Sequence, residues 1–348
     1  MELRTCNSIL DAIGNTPLVR LHEVVKSIPA KVYAKVEGMN PGLSSKDRIA
    51  LYMIEKAEKE GRLQPGGTIF EATSGNTGYG IAMVSAVKGY NCVLCTTKKT
   101  SQEKIQALEA LGAQVVICPS VHAADPRSYY NTAERLHTET PNSIYLNQNF
   151  DCGNAEAHYH TTGPEIWQQT QGTITHYIAC VGTGGTISGT GKYLKDQNPN
   201  VQVIGVDAYG SVLAKYHETG EFDESEISPY QVEGLGKTII PGNVYFDVID
   251  HFIKVNDYNS AIAARRLAKE EGLFVGFSSG SALHALYEMK EELTENDVVV
   301  LLFSDHGSKY LNKIFNEAWL EENVFKKDRE DAKVQTLNNQ WVRKTPSW

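Results

Sequence analysis

The chain has 348 residues, 41% of them hydrophobic and 22% charged, with a formal net charge of −9. This length suits two folded units sharing a cleft, and the acidic balance excludes a broad cationic surface for nucleic acid or anionic lipid. No apolar run approaches bilayer length, and Met1-Glu2-Leu3-Arg4 opens no apolar signal segment, so the expectation is a cytoplasmic protein with no membrane partner.

Strand-like and helix-like patterns alternate from about residue 30 to residue 315. Strands are expected at 31–37, 68–71, 91–96 and 114–118, with helices at 46–60, 76–87 and 101–111 between them. A second series places strands at 143–146, 176–181, 201–207, 252–255 and 297–303, and helices at 155–169, 186–195, 257–271 and 280–293. Such alternation implies mainly parallel sheets covered on both faces, with ligands at the carboxyl ends of the strands. Residues 207–242 are less regular and suit a mobile loop region near the cleft. The polar stretch 326–348 lacks apolar periodicity and reads as disordered or as an arm that contacts a partner.

Six cysteines are too sparse for a disulfide framework in a chain of this size. Cys92 and Cys95, three apart in an expected strand, fall on opposite faces; His158 and His160, two apart in an expected helix, share no face. No metal site is expected.

Lys46 stands at the mouth of the 46–60 helix, after the Asn40-Pro41-Gly42 turn. A cation there opposes the helix dipole, which favours the neutral, nucleophilic amine. Taken alone, a surface lysine offset by Asp47 explains it better. Three loops change the balance. Thr73-Ser74-Gly75-Asn76-Thr77-Gly78 sets hydroxyls, an amide and bare backbone N–H groups at a helix start, which suits a carboxylate. Gly182-Thr183-Gly184-Gly185-Thr186 links a strand to a helix and suits a phosphate. Gly276-Phe277-Ser278-Ser279-Gly280-Ser281 is, by itself, a capped helix start. The dinucleotide fingerprint fails at Ile187, although Asp207 at the next strand end could hold a ribose. One lysine and two anion loops are what a phosphate-bearing aldehyde cofactor and an amino-acid substrate require.

Together with Asn15-Thr16-Pro17-Leu18 and Ser45-Lys46-Asp47-Arg48, these loops resemble the fold-type-II pyridoxal-phosphate enzymes, and within them the cysteine synthase and cystathionine β-synthase family. The resemblance runs from about Ile9 to Phe325. It implies an α/β fold of two three-layer domains with mainly parallel sheets, tryptophan synthase β-like. The large domain would comprise 1–40 plus 146–325, and the small mobile domain 41–145. It implies pyridoxal 5′-phosphate bonded to Lys46, its ring hydroxyl met by Asn76, its phosphate by Gly182, Thr183, Gly184, Gly185 and Thr186, and its pyridine nitrogen by Ser278. The substrate carboxylate would meet Thr73, Ser74, Gly75, Thr77 and Gln148, with Glu233 and Gly234 also at the substrate.

The implied reaction is β-replacement on L-serine or an O-activated serine through an aminoacrylate, in a homodimer. Val232-Glu233-Gly234-Leu235-Gly236, Glu156-Ala157-His158-Tyr159 and residues 310–315 favour the cystathionine β-synthase side, where serine and homocysteine give cystathionine. Cysteine synthesis from O-acetylserine and sulfide follows closely, then a specialised replacement with another nucleophile. Lys237 stands where many relatives carry tyrosine, and Leu43 and Ser45 replace the usual glycine and valine. Neither adenosylmethionine activation nor haem is expected. A nucleotide-dependent oxidoreductase, resting on Gly182, Gly184 and Asp207, and a non-catalytic scaffold are the readings from other classes.

Overall fold

A computed structural model describes residues 5–326; the remainder of the expected tail lies outside the described residues. In chain order the elements are β1 (Leu18–Arg20), β2 (Lys31–Val36), α1 (Lys46–Lys59), β3 (Thr68–Ala72), α2 (Asn76–Lys88), β4 (Asn91–Thr97), α3 (Gln102–Ala110), β5 (Gln114–Cys118), α4 (Tyr129–Glu139) and β6 (Ser143–Tyr145). There follow α5 (Gly153–His160), α6 (Thr162–Gln169), β7 (His176–Cys180), α7 (Gly185–Gln197), β8 (Gln202–Ala208), α8 (Leu213–Thr219), β9 (His251–Val255), α9 (Asp257–Glu270), α10 (Phe277–Glu288), β10 (Val298–Phe303) and α11 (Glu317–Leu320).

Two sheets result. The smaller runs β5-β4-β3-β6 and is parallel throughout; the larger runs β1-β2-β10-β7-β8-β9, and only β1 is antiparallel to its neighbour. Every side chain of β10 is buried, as expected of a parallel strand covered on both faces. Val299, Leu301 and Phe303 enter one apolar cluster, and Val300 and Leu302 enter another. Each such burial contributes about 1.5–3 kcal/mol. A separate cluster joins Ile49, Ala50 and Met53 of α1 to Ile81, Ala82 and Val84 of α2 under the smaller sheet.

The expected α/β alternation is present, with local differences. The single helix expected at 155–169 is two, α5 and α6, parted at Thr161 with φ −126° and ψ −69°. Pro164 supplies no N–H to the turn before it, so a continuous ladder cannot form there. The helix expected from residue 280 begins earlier, at Phe277, and ends at Glu288. Helices α4 and α8 occupy segments with no expected helix; of their residues only Ala133 and Leu213 are buried, so neither writes a strong apolar stripe.

Leu43 adopts φ +62°, the left-handed region that L side chains rarely occupy. This is the position where the resembled family usually carries glycine. The turn is held because Leu43 N–H donates to Asn40 O at 2.8 Å and Leu43 O accepts from His306 N–H at 3.2 Å. Replacing Leu43 with glycine is therefore expected to raise stability by about 0.5–1 kcal/mol, the released strain exceeding the added chain entropy. Thermal unfolding checks this, and a lower midpoint for the variant would refute the strain.

Candidate active site

The loops leaving β2, β3 and β7 lead to Lys46, residues 73–77 and residues 182–186, while Gln148 follows β6, Glu233 and Gly234 precede β9, and Ser278 lies in α10. The backbone before Lys46 is tied to the end of β10: Ser45 N–H donates to Ser304 O at 2.9 Å, and Ser44 forms an antiparallel bridge with Asp305. Lys46 then opens α1, and its Nζ donates to Ser45 Oγ at 3.3 Å. Its amine is pushed below the ordinary lysine range, first by burial, with the charges of Lys237 and Lys309 adding to it and those of Asp305 and Glu37 opposing. Burial therefore leads the shift towards the neutral amine that the helix-end argument anticipated.

Two residues on, Arg48 is bolted in place. Its guanidinium donates to both Glu37 oxygens, at 2.6 and 2.8 Å, and to both Glu165 oxygens, at 2.7 and 2.8 Å. Lys35 Nζ completes the cluster on Glu165 at 2.6 Å. Burial alone would raise the Glu37 carboxyl, but the charge and hydrogen bonds of Arg48 outweigh it and leave it at about 2. The cluster ties α1 to β2 and α6.

Helix α2 lies close against the start of α1, because a Cβ on Gly80 would fall 3.0 Å from Lys46 O. This brings the loop before α2 beside Lys46. In that loop Thr73 Oγ1 accepts from Gly75 N–H at 3.2 Å, while Ser74 and Gly75 are exposed. Thr77 Oγ1 donates to Gln148 Oε1 at 2.6 Å, so the loop and residue 148 form one polar wall. Behind it lies Glu71, which accepts from Ala72 N–H at 3.1 Å and Gln148 N–H at 3.3 Å. Burial outweighs those bonds and raises its carboxyl to about 8.

The second anion loop leaves β7. Gly184 has φ +93°, and a Cβ there would meet Val244 and Asn243 at 2.5–2.7 Å. A Cβ on Gly185 would fall 2.0 Å from Asn154 Oδ1. The backbone N–H groups of 183–186 have no acceptor among the described residues. Two hydroxyls border them: Thr183 Oγ1 accepts from Asn154 Nδ2 at 2.9 Å, and Thr186 Oγ1 lies 3.1 Å from His158 Nε2. His158 is held neutral, its pKa lowered to about 3 by burial and then by the charges of Lys46 and Arg48. This cradle of bare N–H groups and hydroxyls fits a phosphate.

Gly234 lies against both remaining parts: a Cβ on Gly182 would fall 2.8 Å from Gly234 O, and one on Gly234 would fall 3.6 Å from Ser278 Oγ. Ser278 is buried in the first turn of α10. Glu233 pairs with Lys104 of α3 at 2.7 Å and with Lys313. Burial pushes its carboxyl up, but the two lysines prevail and lower it. Asp207 is spent elsewhere: its oxygens accept from Ala208 and Ala214 N–H, both at 2.9 Å, so it caps the approach to α8 and offers no free carboxylate to a ribose.

The structure also gathers residues to which the sequence assigned no role at the site. Asp305 Oδ2 accepts from Asn76 Nδ2 and from Tyr310 Oη, both at 2.8 Å, and Lys309 Nζ donates to Asn76 Oδ1 at 2.6 Å. Lys237 Nζ donates to Asn149 Oδ1 at 3.0 Å. The one local signal for Asp305 was its position just beyond the uniformly apolar β10; Lys237 was marked by standing where many relatives carry tyrosine, and Lys309 gave none.

A buried lysine amine of depressed basicity, a loop of bare N–H groups that fits a phosphate and a polar wall of hydroxyls and amides, carried on one α/β frame, fit an enzyme that works through a phosphate-bearing carbonyl cofactor. The family model described as pyridoxal-phosphate dependent enzyme matches residues 9–305, and the chain belongs to that family. It is 44% identical over 320 residues to a cystathionine beta-synthase from Apis mellifera, covering 91% of this chain but only 63% of the relative's length. It is 41% identical over 314 residues to a cysteine synthase from Staphylococcus aureus, covering 90% of this chain and 97% of that one. Among solved structures, O-ureido-L-serine synthase superposes with a TM-score of 0.82 at 33% identity, covering 92% of this chain and all of that chain. A hydrogen sulfide-producing enzyme from Fusobacterium nucleatum gives 0.80 at 35% identity, over 88% and 98% of the two chains. The cofactor is pyridoxal phosphate, as in this family.

The raised Glu71 carboxyl has a pH consequence. Its stability contribution is complete below the unfolded value near 4.5 and is lost as pH rises through about 8. Glu71→Gln, which mimics the protonated acid, is expected to flatten the fall in unfolding free energy between about pH 5 and 8. Denaturant titrations across that range check it; parallel curves for the two proteins would refute the shift.

Proposed function

We propose that this chain catalyses β-replacement on L-serine or an O-activated serine, with cystathionine formation from serine and homocysteine as the leading reaction. The observation that carries the reading is the buried Lys46 amine, held at depressed basicity on a helix that packs directly against α2 and the 73–77 loop before it, in a chain whose 182–186 loop offers bare N–H groups. Residues 182–186 would hold the cofactor phosphate, Asn76 its ring oxygen and Ser278 its pyridine nitrogen. When bound, pyridoxal phosphate supplies the electron sink for charge developing at the substrate α-carbon. A neutral hydroxyl at Ser278 would leave that sink weaker than a carboxylate would, which favours elimination at Cβ.

Thr73, Ser74, Gly75, Thr77 and Gln148 would orient the substrate carboxylate, and Lys46 Nζ would take the α-proton and return it. In the leading reaction the Cβ–O bond breaks, the Cβ–S bond forms, and the thiol proton leaves with the hydroxyl as water. Glu233, flanked by Lys104 and Lys313, presents both charges that a zwitterionic thiol amino acid would meet at the cleft. We read residues 41–145 as the smaller, mobile domain and 1–40 plus 146–325 as the larger one; closure of the 73–77 wall would exclude water. A homodimer in the cytoplasm is part of the same reading; no described helix is long and apolar enough to cross a membrane.

Cysteine formation from O-acetylserine and sulfide is the second reading, favoured by the Staphylococcus aureus relative, which this chain matches over nearly its whole length. Turnover of serine with homocysteine against O-acetylserine with sulfide, read by mass detection of the product, separates the two, and inactivity with both pairs would sink both. Lys46→Ala is expected to lower kcat by at least about 10³-fold; wild-type turnover in that variant would end the mechanism. Glu233→Gln should raise KM for homocysteine about tenfold, the loss of one charged contact, while sulfide-dependent turnover stays within about twofold. An unchanged homocysteine KM would remove Glu233 from thiol recognition.

A further inference from the structure

Asn76 is gripped at both ends of its side-chain amide by one short segment. Asp305, just past β10, accepts from Nδ2 at 2.8 Å, and Lys309, four residues later, donates to Oδ1 at 2.6 Å. The 3₁₀ turn Gly307–Tyr310 sets that spacing. Both gripping groups are themselves held. Asp305 is buried and also accepts from Tyr310 Oη; Lys309 Nζ donates to Gly42 O at 3.1 Å and lies 5.7 Å from the centre of the Tyr79 ring.

An amide side chain keeps nearly the same shape when its oxygen and nitrogen exchange places. Here the exchange would set the carbonyl oxygen against the Asp305 carboxylate and the NH₂ group against the Lys309 ammonium. Both charge-assisted hydrogen bonds would become repulsive contacts. Nδ2 carries two hydrogens, and Asp305 is its one acceptor among the described residues.

We propose that Lys309 is a positioning residue: with Asp305 it fixes the Asn76 amide so that one N–H is left for the ring oxygen of bound pyridoxal phosphate. This rests on the role proposed above for Asn76. Lys309 thus acts on the cofactor without touching it, and a charge in a turn after β10 governs which atom of a residue on α2 faces the ring.

The test uses purified holoenzyme, reading cofactor release by ultrafiltration and the wavelength of the visible absorption band, with far-ultraviolet circular dichroism to establish folding. Asn76→Ala and Lys309→Met are each expected to speed release about tenfold and to move the band in the same direction. Lys309→Arg, which keeps a cationic donor, should stay within about twofold of the native rate, and Lys309→Met should add less than about twofold on top of Asn76→Ala. Native release and an unmoved band in Lys309→Met, beside fast release in Asn76→Ala, would overturn the inference and leave the role of Asn76 standing. So would effects that multiply in the double variant, or equal losses in Lys309→Met and Lys309→Arg. Native behaviour of Asn76→Ala would remove the role of Asn76, and the inference with it. Should Lys309→Met fail to fold, Lys309→Gln, a neutral donor, takes its place with the same expected coupling to Asn76.

Discussion

The buried ion cluster of Glu37, Arg48, Glu165 and Lys35 is the constraint on which the site depends. Two acids and two bases are withdrawn from water, which costs several kcal/mol per ion unless each is paired and hydrogen-bonded. Here the pairing is nearly complete, with both oxygens of each carboxylate on Arg48 and Lys35 on Glu165 and Thr16 O. The cluster joins a strand end, the first turn of one helix and the face of another. Loss of any one member would leave its partners charged and buried, so the arrangement fixes geometry more firmly than it raises stability.

Around that anchor the site is assembled by close backbone approach. Gly80 lets α2 touch the Lys46 carbonyl, Gly182 lets the 182–186 loop meet the 233–234 turn, and Gly185 makes room for Asn154. Polar residues then act in pairs across these contacts: Thr77 with Gln148, Asn154 with Thr183, His158 with Thr186. The result is a set of polar groups oriented by one another.

Much of this was legible in the sequence because it is written locally. Residues 73–78 and 182–186 lie where loops between strand and helix were expected, and Lys46 begins α1. The lowered basicity of its amine was anticipated, although burial, invisible in one dimension, is the larger cause. What escaped was set by distant pairing. Nothing near Arg48 announces Glu37 and Glu165, and nothing near Lys309 announces Asn76, 233 positions away. The α5–α6 break was written in Pro164, but a surrounding helical pattern concealed it. Asp207 shows the opposite case, a residue whose local setting suggested a ribose ligand until the N–H groups of Ala208, beside it, and Ala214, in α8, claimed its oxygens.

Helix α1 has a divided allegiance. Its body packs with α2 into the apolar cluster beneath the smaller sheet, while Arg48 in its first turn is fixed to β2 and α6 beside the larger one. The far half of α1 is held too, by Lys56 on Glu156 of α5. Any swing of the smaller sheet would thus work against a helix pinned at both ends. Lys46 rides on that helix, so the amine would keep its place while the loop ahead of α2 moves.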